Sequence, residues 1–167
     1  MMSYTHALSA VLVFSLMGFD PVLVFLGAVA CLLPDIDTPH SFIGKLLKPI
    51  SKYINKRYGH RTIMHSFLIL AIIFFSTLLT GNVNIITVLT IGYFLHMFFD
   101  MLNPAGVPLL YPSCVSFVIF SGIIPVRSRR ETILFIILFI ILAVHLLITF
   151  FNIDLVASFR SLVFRGG

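Results

Sequence analysis

A small set of histidines and aspartates, placed in strongly apolar sequence, has the side-chain chemistry of a metal site. The chain has only six histidines and six acidic residues in total. Ionisable groups are costly in apolar surroundings and are retained there when they bind something. The candidate metal ligands are His6, Asp35, Asp37, His65, His96 and Asp100.

The spacing of these residues favours one shared centre. His96 and Asp100 are four residues apart, which places them on one face of a helix. Asp35 and Asp37 can supply one ligand together with a second ligand or a base. Imidazole and carboxylate without thiolate suit zinc, and leave manganese or iron possible. The set exceeds one tetrahedral site, so it has room for two or more metals, and we expect one to three ions. Paired ions promote phosphoester hydrolysis.

Other polar residues are candidates for catalysis or substrate binding. Arg61, one turn before His65, is suited to clamping a phosphate through its planar fork. Asp37 is a candidate base. Glu131 begins the last apolar segment, where the helix dipole favours a carboxylate, or it completes the catalytic site. Further candidates are His40, His60 and, as a phosphate ligand, Arg127, whereas His145 is interpreted as a buried hydrogen-bonding group.

The composition is that of a membrane protein. Of 167 residues, 59% are hydrophobic and 10% charged, and the mean hydropathy is +1.11. We expect one membrane-embedded domain over residues 1–167. The basic residues cluster at 45–61 and 127–130 beside apolar segments, which predicts cytoplasmic loops near anionic lipids and argues against nucleic-acid binding. Cys31 and Cys114 are interpreted as small buried hydrophobes without a disulfide.

The predicted fold is an all-α membrane protein. Three transmembrane helices are expected at 63–79, 85–102 and 133–151, with a tight turn at 81–84. The apolar stretch 4–33 is broken by Asp20-Pro21, which favours a helical hairpin over one broken span. With the hairpin, four helix ends carry the candidate ligands to one membrane face.

Two connecting segments complete this prediction. Residues 38–62 alternate lysines with apolar residues at helical spacing, which favours an interfacial basic helix over a solvated loop. Residues 107–126 carry three prolines and are rich in Val, Ile and Phe. They are predicted to form a small cytoplasmic β-hairpin cap from 115–120 and 123–126, rather than a further span.

Several motifs resemble those of the bacterial YdjM-like inner-membrane proteins. They are Leu33-Pro34-Asp35-Ile36-Asp37, Gly59-His60-Arg61, His65-Ser66, His96-Met97-Phe98-Phe99-Asp100 and the run from Asn103-Pro104 to Leu110. The chain is also more distantly similar to the zinc-dependent phospholipase C and nuclease superfamily. One departure is Thr38, where family members often carry histidine.

The resemblance implies a membrane-bound, metal-dependent hydrolase. In the distant superfamily, the zinc-ligand pattern corresponds here to His6, Asp35 or Asp37, His65, His96 and Asp100. The expectation is a zinc-dependent phosphoesterase at the cytoplasmic face of the inner membrane, acting on a phospholipid or lipid-linked phosphate. The alternatives are an ion or solute transporter, which would distribute polar groups through the membrane depth, and a non-catalytic protein with structural metal.

Overall fold

The computed structural model describes residues 1–113 and 115–151, so that Cys114, Arg160 and Arg165 lie outside the described residues. Seven α-helices form within these ranges, joined by turns and short 3₁₀ helices. In chain order the α-helices are α1 (Ser3–Leu16), α2 (Pro21–Leu32), α3 (Phe42–Leu46), α4 (Lys48–Tyr58), α5 (Phe67–Leu78), α6 (Val83–Asp100) and α7 (Arg129–Phe150).

Helices α1 and α2 form the predicted N-terminal hairpin. Gly18 has a φ of +76°, a conformation that glycine adopts without a steric penalty. Asp20 then caps α2 by accepting hydrogen bonds from the backbone of Val22 and Leu23. Near the opposite ends of the helices, the Cys31 thiol lies 3.3 Å from the carbonyl oxygen of His6. The hairpin prediction is therefore confirmed, and it brings the start of α1 beside the end of α2.

The hairpin packs closely against α6. A side-chain carbon added at Gly92 of α6 would collide with the carbonyl oxygen of Gly27 in α2. Small residues allow membrane helices to approach to backbone contact in this way. Because His96 and Asp100 lie one and two turns beyond Gly92, this packing directs them toward the end of the hairpin.

Two helices are long and apolar enough to cross a membrane. Helix α6 has 18 residues with a mean hydropathy of 1.5, and α7 has 22 residues with a mean hydropathy of 3.1. At about 1.5 Å per residue they match a hydrocarbon core roughly 30 Å thick. Only 6% of the most apolar stretch of α7 is buried within the protein, so most of its apolar surface faces outward. The spans predicted at 85–102 and 133–151 are confirmed as helices of spanning length.

The third predicted span, at residues 63–79, does not form a helix of spanning length. Helix α5 has 12 residues, which is about 18 Å and too short for a straight crossing. The cause is the backbone before it, since Ile63–His65 is a 3₁₀ turn and Ser66 is extended, with φ −110° and ψ 156°. The described residues thus contain two helices of spanning length rather than three, and the turn that shortens α5 buries His65.

The β-hairpin predicted within 107–126 is also wrong. Among the described residues the only β-type pairing is one isolated bridge between Val107 and Phe117. The backbone amides of Ile119 and Ile124 donate to the carbonyls of Met101 and Leu102 instead of pairing with each other. Residues 115–126 therefore pack against the end of α6 as an irregular segment, and two of its backbone amides are satisfied there.

The basic connector is helical, as the sequence predicts, but is divided into α3 and α4 at Leu47. Ser41 caps α3 by accepting a hydrogen bond from Gly44. On α4, the Asn55 amide donates to the carbonyl oxygen of Asp37 at 2.8 Å. This side of α4 is fixed to the turn that carries the aspartates, while Ile50 and Tyr53 are exposed.

Candidate metal centre

All six predicted metal ligands are buried at the same end of the helical assembly. His6 lies near the start of α1, and Asp35 and Asp37 lie in the 3₁₀ turn Leu33–Asp37 that follows α2. His65 lies in the turn before α5, while the other two ligands lie in the last turns of α6. The exposed fractions are 0% for His6, Asp37, His65 and His96, 1% for Asp100 and 8% for Asp35.

Asp100 is at the centre of this His/Asp cluster. Its carboxylate oxygens lie 3.3 Å from His6 Nε2, 3.6 Å from His65 Nε2 and 3.7 Å from His96 Nε2. One carboxylate thus lies beside three imidazoles from three separate parts of the chain. The Met1 amino group also forms an ion pair with Asp100.

Two sets of three side chains have donor atoms close enough to share one cation. Asp35, His65 and His96 offer one atom each, and these atoms all lie within 4.8 Å of one another. His6, Cys31 and His96 meet the same distance limit. In the second set the Cys31 thiol donates its proton to the carbonyl of His6. We favour the first set, because its carboxylate and imidazoles need no thiolate.

The imidazoles of the cluster have few hydrogen-bond partners. Both ring nitrogens of His6 and Nε2 of His96 are buried and form no hydrogen bond with the described residues. A buried polar atom left in this way costs about 1–3 kcal/mol. A bound cation would use these lone pairs, so the donor set fits a metal ion such as zinc.

His96 is held in the tautomer that metal binding needs. Its Nδ1 lies 2.7 Å from the carbonyl oxygen of Cys31, so we assign the ring proton to Nδ1. Nε2 then presents its lone pair toward Asp35 and Asp100, at 3.8 and 3.7 Å. Such outer hydrogen bonds commonly orient histidine ligands.

Asp37 is surrounded by protein donors on both oxygens. Oδ1 lies 3.0 Å from the Thr38 hydroxyl and 2.8 Å from His60 Nδ1. Oδ2 accepts from the Arg61 backbone amide at 2.8 Å and lies 3.2 Å from His65 Nδ1. This geometry supports a role in orienting His65 more than direct metal ligation.

The proton affinities of Asp37 and His65 are shifted in opposite directions. Burial raises the pKa of Asp37, but the hydrogen bonds of His60 and His65 outweigh burial and hold it well below its usual range. Burial lowers the pKa of His65, but the neighbouring carboxylates of Asp100 and Asp37 outweigh burial and raise it to about 9. The metal-free turn therefore keeps an imidazolium between two carboxylates.

Arg61 reaches the cluster from the turn before His65. Its Nη2 lies 3.0 Å from Asp100 Oδ2, and its Nη1 lies 3.5 Å from Asn103 Oδ1. The residue has a φ of +54°, which is uncommon for a side chain larger than glycine. The predicted phosphate clamp is thus beside the cluster and is paired there with Asp100.

Glu131 is buried but is not drawn into the cluster. Its carboxylate accepts hydrogen bonds from the backbone amides of Met2 and Arg127, both at 2.6 Å, and from the Thr5 hydroxyl at 3.4 Å. These contacts join the start of α1 to the start of α7. They support the interpretation that Glu131 stabilises and positions the start of α7, rather than the interpretation that it completes the catalytic site.

Sequence reasoning gave too little weight to His60 and Asn103. His60 is half-exposed and contacts Asp37 and Thr38, and the Asn103 amide group contacts Arg61. The sequence could have identified both residues, because His60 directly precedes Arg61 and Asn103 continues the helix face that carries His96 and Asp100. His145 lies apart from the cluster, with Nε2 3.2 Å from the carbonyl oxygen of Ser15, as expected for a hydrogen-bonding histidine.

The two spanning helices and the buried His/Asp cluster define a membrane protein with a candidate cation site. The chain belongs to the family described as YdjM inner membrane protein, which matches residues 1–164. The family resemblance seen in the motifs is confirmed, and with the apolar helices it places the protein in the bacterial inner membrane.

Curated relatives match over part of their length. Over 94 residues the chain is 44% identical to the inner membrane protein YdjM of Escherichia coli, covering 50% of this chain and 46% of that protein. It is 41% identical over 100 residues to the Bacillus subtilis protein YvsG, described as uncharacterized, covering 59% of this chain and 62% of that protein. The chain thus spans less than two thirds of these relatives. No solved structure matches it.

Proposed function

We propose that this protein is a metal-dependent hydrolase of phosphoesters, with the His/Asp cluster as its active centre. The observation that carries the proposal is the approach of Asp35, His65 and His96 donor atoms to within 4.8 Å of one another. Zinc is the metal that this set of ligands favours, with manganese or iron as alternatives.

Some residues of the cluster would hold the metal, and others orient the residues that hold it. Asp35, His65 and His96 would hold one ion, and His6 and Asp100 extend the set toward a second. When bound, such ions supply Lewis acidity to a phosphoryl oxygen and lower the pKa of water. Asp37 fixes His65, while the Cys31 carbonyl fixes His96.

Arg61 supplies the recognition of phosphate. Its guanidinium lies 3.0 Å from Asp100, so it already lies beside the proposed reaction centre. If Asp100 helped to hold a metal ion, the planar fork of Arg61 would be free to pair with two phosphate oxygens. Asp37 has donors on both oxygens and a lowered pKa, so it is a poor base and would act by orienting His60 and His65.

The placement of polar groups favours hydrolysis over transport. The His/Asp residues gather at one end of the helices, whereas a pathway through the membrane would need polar groups along its depth. By the distribution of basic residues we place this end at the cytoplasmic face.

The test combines metal analysis with hydrolysis assays on the detergent-purified protein. We expect bound zinc and metal-dependent cleavage of a chromogenic phosphomonoester or phosphodiester, with both lost in His96→Ala and Asp100→Ala. His145→Gln is the matched control, because it changes a histidine outside the cluster, and it should retain both. If the purified protein contained bound metal but hydrolysed no phosphoester, the metal site would be structural and the proposed enzymatic function would be refuted.

A further inference from the structure

A cavity of about 610 Å³ opens beside the His/Asp cluster. We call it the mouth cavity. It reaches the cluster through Asp35, His60 and Arg61, and its other walls come from the start of α1, from α3 and from the segment before α7. The further lining residues used below are Tyr4, Phe42, Lys45 and Arg127.

The mouth cavity carries an excess of positive charge. Lys45, Arg61 and Arg127 line it. Arg61 is paired with Asp100, which leaves Lys45 and Arg127 against one lining carboxylate, that of Asp35. The Lys45 and Arg127 side chains form no ion pair or hydrogen bond with the part of the chain that the structure describes. Their charges therefore remain available to an anion that enters the cavity.

The backbones of Arg61 and Arg127 are held in place in the same way. Arg61 and Arg127 both have left-handed backbones, with φ of +54° and +59°. Each backbone amide is held by a buried carboxylate, since Arg61 donates to Asp37 at 2.8 Å and Arg127 donates to Glu131 at 2.6 Å. Unusual backbone conformations of this kind persist where the surroundings enforce them, and they concentrate at functional sites. Separate parts of the chain thus present arginines to one cavity.

The rim of the mouth cavity continues into apolar surface. Tyr4 lines the cavity and packs edge-on against Phe135 of α7, with ring centroids 5.1 Å apart. On α3, Phe42 lines the cavity and is 69% exposed. Arg127 lies directly before the first turn of α7, so the cavity lies at the level where a membrane-spanning helix begins. That is the level of lipid headgroups.

We propose that the mouth cavity binds the phosphate group of an anionic membrane lipid, which enters sideways past Tyr4 and Phe42. The inference deepens the proposed function by assigning its substrate class. The unpaired cations Lys45 and Arg127 match an anionic headgroup, and the apolar rim matches acyl chains. A soluble phosphoester would gain nothing from that rim.

Lipid binding can be measured without any hydrolysis. The full chain is purified in detergent without metal, and bound lipid is counted by native mass spectrometry. Phosphatidic acid is compared with phosphatidylcholine carrying the same acyl chains. We expect phosphatidic acid to bind about tenfold more tightly, because its headgroup forms charge-assisted hydrogen bonds without a positive group of its own.

Variants and a competitor separate this site from non-specific attraction. Lys45→Ala and Arg127→Ala should each weaken phosphatidic acid binding about tenfold, whereas Arg129→Ala, which removes an equal charge outside the cavity, should not. Lys45 is exposed, so Lys45→Ala decides the question even where Arg127→Ala does not fold. Glycerol 3-phosphate at equimolar concentration should not displace the lipid.

The opposite results overturn the proposal. Equal loss of binding in Arg129→Ala would show general attraction to the basic surface. Displacement by glycerol 3-phosphate would show a site for phosphate alone. Because metal and turnover play no part, lipid binding with no hydrolysis would count against the proposed function only.

Discussion

The imidazoles of His6 and His96 stack with their ring centroids 3.9 Å apart and their planes 17° from parallel. One ring belongs to the first helix and the other to the sixth, so the stack closes the cluster between the hairpin and a spanning helix. The stack brings the two unpaired ring nitrogens of His6 beside Nε2 of His96, where a shared cation could bind them.

Asp37 is expected to tune metal affinity rather than to bind metal. Removing a carboxylate that orients a histidine ligand commonly costs about 10–100-fold in affinity. Asp37→Asn should therefore weaken zinc binding by about this factor, while Asp35→Asn, which removes a proposed ligand, should weaken it further. Competition with a zinc-sensitive fluorescent chelator measures both. An Asp37→Asn protein as defective as Asp35→Asn would make Asp37 a direct ligand.

Metal binding should release protons near neutral pH. The pKa of His65 is raised from 6.5 to about 9 in the metal-free protein, so this imidazole is protonated at pH 7.5 and must lose its proton to bind metal. Calorimetric titration in buffers of different ionisation enthalpy should detect the release, and metal affinity should fall as the pH is lowered. The release should disappear in His65→Gln.

The same shift makes the stability of the metal-free fold depend on pH. A pKa raised on folding stabilises the folded state fully below the unfolded value of 6.5, and this contribution is lost as the pH rises through about 9. Thermal unfolding of the metal-free protein should therefore occur at lower temperature at pH 9.5 than at pH 6. A difference equally large in His65→Gln would contradict this assignment.

Glu131 is expected to support the fold without holding metal. Hydrogen bonds to a charged group each contribute roughly 1.5–3 kcal/mol, and Glu131 accepts them from Met2 and Arg127. Glu131→Ala should lower the thermal unfolding temperature by several degrees and leave the zinc stoichiometry unchanged. Thr132→Ala, at the next and exposed position, is the control. Loss of zinc from a folded Glu131→Ala protein would return this residue to the metal site.

The two ends of the helical assembly should lie on opposite sides of the membrane. Cysteines introduced at Lys45 and at Leu79, which is 91% exposed in the turn after α5, should react with an impermeant maleimide from different sides. We expect position 45 to be labelled from the cytoplasm, because basic loops remain there. Labelling of both positions from one side in intact cells would refute this topology.

Much of the fold could be predicted because apolar length and turn signals are local properties of the chain. Asp20-Pro21 identified the hairpin, and long apolar runs identified α6 and α7. The predicted span at 63–79 failed because apolar composition does not reveal that Ser66 is extended. The predicted β-hairpin failed for a tertiary reason, since Ile119 and Ile124 pair with residues after α6.

The chain by itself determined which side chains could bind a cation. Few ionisable residues occur in a strongly apolar sequence, and their cost there singles them out before any contact is known. Tertiary structure alone decided their roles. Asp37 and Glu131 are both buried carboxylates beside an arginine, yet one is adjacent to His65 and the other joins two helix ends. Such differences arise from distances between residues remote in sequence, which residue type and spacing do not specify.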